Sequence, residues 1–197
     1  MLKACKKCRR EGEKLLLKGE RCLSAKCSVV RRSYAPGEHG QGFRSKMSEY
    51  GRQLREKQKA RRMYGISESQ FRNYAKKSSE MAGDSIENLL ILLESRLDNV
   101  VFRMGYASSR SESRQYVSHG LFTVNGHKVT IASYQVKPGS IISPKKPEKF
   151  QEVDLNKSLS WVEMDQKKVS GEVLHLPTKD EIDTQVNASL IIEFYSR

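Results

Sequence analysis

The sequence predicts an α+β fold, with helices in the first 120 residues and short antiparallel strands after them. Apolar residues recur every three to four positions between Ile86 and Met104, which is the period of a helix packed against a core. The period changes to two around Asn125-Gly126, a dipeptide that favours a tight hairpin. Four cysteines confined to residues 5–27 predict a metal-binding segment in front of the helices.

Capping residues predict where the helices begin and end. Serine, aspartate or asparagine at a helix start accepts a hydrogen bond from an otherwise unpaired backbone N–H group, and a following glycine ends the helix. Residues 1–45 show no such pattern and are predicted to be irregular. The predicted helices cover 48–64, 67–77, 84–104 with a break near Asp98, and 109–119. Asn187 is a plausible cap for a short C-terminal helix.

Strand signals follow the last of the central helices. The hairpin around Asn125-Gly126 predicts strands at 122–124 and 127–131. Further apolar runs follow the Pro138-Gly139 turn and continue toward the C-terminus. These additional strands are predicted at 140–142, 161–164 and 173–176.

Charge is distributed unevenly along the 197 residues. The net charge is +13, but residues 1–77 hold 22 Lys and Arg against 7 Asp and Glu, whereas residues 78–197 hold 14 against 16. The first segment therefore carries +15 and the second −2. Such polarisation favours a polyanionic partner, of which nucleic acid is the commonest, with an acidic protein or a membrane surface as alternatives.

The chain shows no membrane or export signal. No apolar run approaches the roughly 18 residues that a membrane span needs. The N-terminus lacks the apolar stretch of a signal peptide, so a cytoplasmic location is expected and no membrane partner.

The cysteines form two close pairs. Cys5 and Cys8 are separated by two residues, Cys22 and Cys27 by four, and thirteen residues lie between the pairs. This spacing predicts a structural four-thiolate site for one zinc ion, with an iron–sulfur cluster as the alternative. Two disulfides or inert buried thiols are the other interpretations, but disulfides are uncommon in cytosolic proteins and four clustered cysteines with none elsewhere argue against chance.

Basic side chains surround the cysteines and cover the helix predicted at 48–64. The thin apolar stripe of this helix predicts a solvated or RNA-facing rod. His39 lies in a glycine-rich loop and is a further candidate for RNA contact. The candidates in this half of the chain are Lys6, Lys7, Arg9, Arg10, Lys14, Arg31, Arg32, His39, Arg52, Arg55, Lys57, Lys59, Arg61 and Arg62.

A second group of candidates lies between residues 94 and 142. Two capped helices and a hairpin would pack on an apolar stripe and leave polar side chains on the surface. Arginine suits phosphate recognition because its planar fork matches two oxygens. The candidates here are Arg103, Arg110, Arg114, His119, Asn125 and Lys128.

Several segments resemble the ribosomal protein S-four family of the small ribosomal subunit, in its bacterial, four-cysteine form. They are spread over the whole chain in the family's order. The N-terminal segments include Cys8-Arg9-Arg10-Glu11-Gly12-Glu13, Pro36-Gly37-Glu38-His39-Gly40-Gln41 and Tyr50-Gly51-Arg52-Gln53-Leu54-Arg55. The later ones include Arg96-Leu97-Asp98-Asn99-Val100-Val101, Val124-Asn125-Gly126 and Ile192-Glu193-Phe194-Tyr195-Ser196-Arg197.

The resemblance implies an organisation and a function. It implies a metal-binding extension at 1–45, a helical domain at 46–90 completed by 178–197, and an inserted α+β domain at 91–177 that contains the RNA-binding module at about 94–142. The family binds small-subunit rRNA early in assembly, lines the entrance of the mRNA channel beside neighbouring ribosomal proteins and contributes to translational accuracy. Candidate mRNA contacts are Arg44 and Lys46.

Two other classes of protein are alternatives. An RNA-modifying enzyme could carry the same module, since Arg96-Leu97-Asp98 resembles a pseudouridine synthase signature, but no separate catalytic domain is evident. We therefore expect Asp98 to cap a helix or pair with an arginine, and we predict no catalytic residue and no small-molecule substrate. A zinc-containing nucleic-acid regulator would need a recognition helix, and none stands out.

Overall fold

The computed structural model describes residues 3–42, 46–150, 159–165 and 168–196. The chain forms two compact units, one made of residues 1–76 with 185–197 and the other of residues 77–184. The mixture of helices and an antiparallel sheet confirms the α+β class. The domain boundaries at residues 45, 90 and 177 stay predictions.

The first unit begins with short helices where irregular structure was predicted. Helix α1 spans Ala4–Glu11, α2 spans Glu20–Leu23 and α3 spans Ser28–Arg31, and a 3-10 turn covers Glu38–Gln41. Gly12, in the left-handed conformation at φ +80°, ends α1. The prediction was wrong because helices of one or two turns are too short to show an apolar period.

Helices α4 and α9 pack together in this unit. Helix α4 spans Glu49–Met63 and begins where predicted, because the Ser48 hydroxyl accepts a hydrogen bond from the Gly51 amide. Helix α9 spans Ala188–Tyr195 and is capped by Asn187, as predicted. The amide of Asn187 donates to Glu56 of α4 at 2.7 Å. Side-chain contacts also join the two helices, so residues from opposite ends of the chain fold together.

Within the described residues, the second unit contains three complete α-helices and the main apolar cluster. Helix α5, Glu68–Glu80, leads into this unit, followed by α6, Ser85–Glu94, α7, Leu97–Arg103, and α8, Arg110–Ser118. The predicted break in the long apolar helix is confirmed and lies at Ser95 and Arg96, just before Asp98. The Asp84 and Ser109 caps of α6 and α8 are also present.

An antiparallel sheet covers these helices. Its strands are β1, Phe122–Val124, β2, His127–Lys128, β3, Ile141–Pro144, β4, Val162–Asp165, and β5, Ser170–Val173, in the order β2-β1-β3-β5-β4. The hairpin at Asn125-Gly126 is confirmed, with both residues at positive φ. One face packs on the core, where Phe122, Ile142 and Trp161 are buried.

Candidate nucleic-acid interface

The four cysteines lie on or beside the three short N-terminal helices. Cys5 and Cys8 are on α1, Cys22 is on α2, and Cys27 precedes α3. All four are free thiols, and all but Cys5 are buried. Burial raises the pKa of the Cys8 thiol, an effect that the Leu15 amide opposes and that the charges of the other three cysteines reinforce.

The thiols are thus neighbours, but they do not form a coordination site in this structure. Among residues 3–42, 46–150, 159–165 and 168–196, no three His, Cys, Asp or Glu side chains are arranged to hold a metal ion. The metal-knuckle part of the predicted fold is therefore not supported here, and zinc binding stays a prediction.

A subset of the predicted RNA contacts lies at the surface. An exposed cation can bind a phosphate without first breaking an ion pair with a carboxylate inside the protein. Lys7 is half-buried, and Arg52 is exposed but pairs with Glu49 one turn earlier. The exposed candidates are Lys6, Arg10, Lys14, Arg31, Arg32, His39, Arg52, His119, Asn125 and Lys128.

Arg9 supports a neighbouring loop. Its guanidinium donates to the carbonyl oxygens of Tyr34 at 3.0 Å and Ala35 at 3.3 Å, and it lies 4.7 Å from the centre of the Tyr34 ring. These contacts join α1 to the segment that precedes the glycine-rich loop. Arg9 therefore has a structural role in addition to any contact with RNA.

The glycine-rich loop borders a cavity of about 480 Å³. Arg10, His39 and Arg55 contribute cationic or titratable groups to its wall. Gly40 is required by the close approach of the chain, because a Cβ atom there would lie 1.9 Å from the Ala35 carbonyl oxygen. Of the two candidate mRNA contacts, Lys46 is exposed, whereas Arg44 lies outside the described residues.

Helix α4 is a packed helix, so the prediction of a solvated rod is wrong. Lys57 is 4% exposed, and its Nζ lies 2.6 Å from Glu68 Oε1 and 4.4 Å from the centre of the Phe194 ring. Lys59 is also buried, with its Nζ 2.8 Å from Glu56 and 3.2 Å from Glu13. These two lysines were predicted to contact RNA, but their charges are neutralised inside the unit by Glu13 and Glu68 from other segments and by Glu56 of α4 itself.

Arginines of α4 are held in the same way. Arg61 Nη1 is 2.5 Å from Glu68 Oε2, and both Arg55 and Arg62 donate to the carboxylate of Glu11. Burial raises the pKa of Glu68, but hydrogen bonds from Lys57 and Arg61 outweigh it and leave the pKa below its usual value. Part of each arginine remains at the surface. RNA contact by these side chains stays a prediction, and their orientation is set by the carboxylates of Glu11 and Glu68.

In the second unit, basic side chains also pair with a carboxylate of the protein. Glu94, whose side chain is 1% exposed, accepts hydrogen bonds from both Asn99 and Arg103, at 2.7 and 2.9 Å. Arg110 donates to Asn99 Oδ1 at 2.7 Å and lies 4.7 Å from the centre of the Phe102 ring. Glu94 therefore holds Arg103, and Asn99 holds Arg110. Only part of each guanidinium group of these two predicted RNA contacts remains accessible.

Asp98 has the structural role that we expected. Its carboxylate receives two hydrogen bonds from Arg96, at 2.7 and 3.0 Å, and lies 3.7 Å from Arg114 Nη1. Arg96 is fully buried and Arg114 is 43% exposed. A carboxylate neutralised in this way is not arranged as a catalytic base.

The sequence analysis missed the buried carboxylates of Glu11 and Glu94 and the partly exposed carboxylate of Glu68. They decide which cations are internal and which are free to meet a ligand. Glu94 had a usable signal, since it directly follows the apolar run Leu92-Leu93 on the core face of a helix. Glu11 and Glu68 had none, because their partners lie in other segments.

Family models identify the class of protein to which this arrangement of basic helices and a small α+β unit belongs, which is that of proteins with an S4 domain. Residues 2–94 match the family described as the ribosomal protein S4/S9 N-terminal domain, and residues 95–142 match the S4 domain.

Full-length relatives agree with this class. The chain is 56% identical to small ribosomal subunit protein uS4 of Syntrophomonas wolfei, over 98% of this chain and 96% of that protein. It is 54% identical to uS4 of Heliobacterium modesticaldum and 55% identical to uS4A of Clostridium novyi, with the same coverage. The chain therefore belongs to the uS4 family of small ribosomal subunit proteins.

Among the described residues, no helix is both long and apolar enough to cross a membrane.

Proposed function

We propose that the protein is a structural, non-catalytic constituent of the small ribosomal subunit that binds its rRNA. The observation that carries this function is identity of 50–56% to proteins named uS4 over nearly the whole chain. The charge distribution agrees, since the +15 segment bears exposed cations suited to phosphates. Its expected location is the ribosome in the cytoplasm.

Sedimentation tests this function directly. In a lysate fractionated on a sucrose gradient, the protein should migrate with small subunits and whole ribosomes, and not with large subunits. Lowering magnesium to separate the subunits should move all of it to the small-subunit peak. Protein that remains at the top of the gradient while subunits are intact would contradict the proposal.

The finer roles of the family are also proposed. We infer that the protein binds rRNA early in assembly and lies beside neighbouring ribosomal proteins at the entrance of the mRNA channel, where it contributes to accuracy. The exposure of Lys46 supports an mRNA contact, since a solvated lysine can meet a phosphate without losing an internal partner. Arg44 remains a candidate on the resemblance alone.

We further propose that Cys5, Cys8, Cys22 and Cys27 bind one structural zinc ion, with an iron–sulfur cluster as the alternative. Four thiolates are a donor set that suits both, and three of these thiols are already buried beside one another. The Lys18 amide donates a hydrogen bond to Cys22 Sγ at 3.3 Å, which fixes the position of that sulfur atom. Bound zinc would cross-link the three short helices.

Metal analysis of freshly isolated, unchelated protein should find one zinc, or iron with sulfide, per chain. Cys22→Ser should lose the metal and loosen residues 3–42, because structural zinc contributes about 10 kcal/mol or more to local folding. Hydrogen exchange in α7 and α8 should not change. His39→Ala, a substitution at the nearest histidine of the same unit, should keep the metal. Protein that contains neither zinc nor iron would refute the site.

A further inference from the structure

The outer face of the sheet in the second unit carries a patch that rRNA binding does not explain. Ile142, Val162 and Val173 point to the core, so the residues that alternate with them point outward. We call this patch the acidic sheet face; it consists of Ile141, Glu163, Glu172 and Leu174, all of them exposed.

Two glutamates of this face stand directly opposite each other. Glu163 of β4 and Glu172 of β5 are register partners, which places their Cβ atoms about 4.5–5.5 Å apart. Like charges in this position destabilise a sheet. Neither glutamate side chain forms a hydrogen bond or ion pair within the described part of the chain.

In the described part of the chain, Lys168 and His175 pair with other carboxylates than these two. Lys168 lies 3.7 Å from Asp165, which is on the same face, and His175 pairs with Glu181. On β3, β4 and β5 there is no Lys, Arg or His at all. The face is therefore a local concentration of negative charge on a protein whose net charge is +13.

Apolar side chains lie beside the glutamates. Ile141 is the register partner of Glu172 and is 46% exposed, and Leu174 is 48% exposed. Leu174 is two residues beyond Glu172, so it is a diagonal neighbour of Ile141, within reach across adjacent strands. Contiguous exposed apolar side chains with polar residues at their rim mark protein-binding surfaces.

We propose that the acidic sheet face binds a basic protein segment. A Lys or Arg of the partner lies between Glu163 and Glu172, and apolar side chains of the partner cover Ile141 and Leu174. RNA does not fit this face, because its phosphates would meet two uncompensated carboxylates. The inference rests on the proposed function, which makes the partner another protein of the small subunit.

Site-specific crosslinking in assembled subunits tests this. Full-length protein with a photoreactive phenylalanine analogue at position 174 is incorporated into small subunits, irradiated, and digested with nuclease or protease. The expected product is a crosslink to one basic protein that resists nuclease. The same analogue at Ser111, an exposed position on α8, should not give this product.

A charge variant separates recognition from folding. Glu163→Gln with Glu172→Gln should raise the melting temperature of the free protein by about 1–4 °C, since it removes the like-charge contact. The same variant should lower the yield of the crosslink from position 174 at least threefold. These opposite signs cannot come from misfolding.

Three outcomes would overturn the inference. They are a crosslink from position 174 to rRNA, a crosslink to a second copy of this chain, or no crosslink in subunits that contain the protein. Failure of the protein to enter small subunits would overturn the proposed function as well, and it is distinguished by the gradient before irradiation.

Discussion

Replacing Asp98 with asparagine is expected to lower the free energy of unfolding of the second unit by about 3–5 kcal/mol. Arg96 is fully buried, and Asp98 accepts hydrogen bonds from both its Nε and its Nη2. Asparagine preserves the size of the side chain but removes the negative charge. The cost is large because the variant removes the carboxylate charge that accepts two hydrogen bonds from a buried guanidinium.

Urea unfolding followed by tryptophan fluorescence measures this effect. Trp161 is the single tryptophan of the chain and lies in the core of the second unit, so its signal reports that unit. Asp165→Asn is the matched control, because its contact with Lys168 is exposed and its loss should change stability by about 0.5 kcal/mol or less. A loss below about 1 kcal/mol for the Asp98 variant would mean that the pair contributes little.

Affinity for small-subunit rRNA is expected to fall roughly a thousandfold between 50 and 200 mM salt, for six or more phosphate contacts. The variant Lys6→Ala, Arg10→Ala, Lys14→Ala should bind more weakly and show a shallower salt dependence. The slope of log affinity against log salt should decrease by about 1 for each lost contact. These three side chains are exposed, and within the described residues none has an internal partner.

Lys57→Met is the control variant for this experiment, because it removes a buried lysine instead of exposed cations. Lys57 is on a helix that was predicted to face RNA, but its ammonium group is buried between Glu68 and the Phe194 ring. The substitution should reduce the thermal stability of the first unit, measured by circular dichroism, by about 2 kcal/mol, since Arg61 still partners Glu68. Below the melting temperature, the salt slope should remain that of the unsubstituted protein. A slope lowered by about 1 would place Lys57 in contact with phosphate.

Local features could be predicted from the sequence. The caps at Ser48, Asp84, Ser109 and Asn187 begin helices in the structure, and Asn125-Gly126 forms the hairpin. Each depends on backbone conformation and hydrogen bonds within a few residues, so adjacent side chains carry the information. The pairing of Asp98 with a nearby arginine was predictable for the same reason, because Arg96 is two residues away.

The charge of the N-terminal half could also be predicted from the sequence, but the role of each cation could not. Lys14 and Lys57 are both lysines of the basic N-terminal half, but Lys14 is exposed to solvent and Lys57 is buried. The difference arises because Glu68 and Phe194, from segments 11 and 137 residues away, meet at Lys57. A local sequence pattern does not predict a contact between such distant segments.

The sequence by itself thus determined the α+β class, the helix starts, the hairpin and the resemblance to a family. Only the tertiary structure decided which basic side chains support the fold and which face solvent, and it placed Glu163 opposite Glu172. The physical reason is that capping and turn formation are short-range, whereas burial and ion pairing depend on which distant segments pack together.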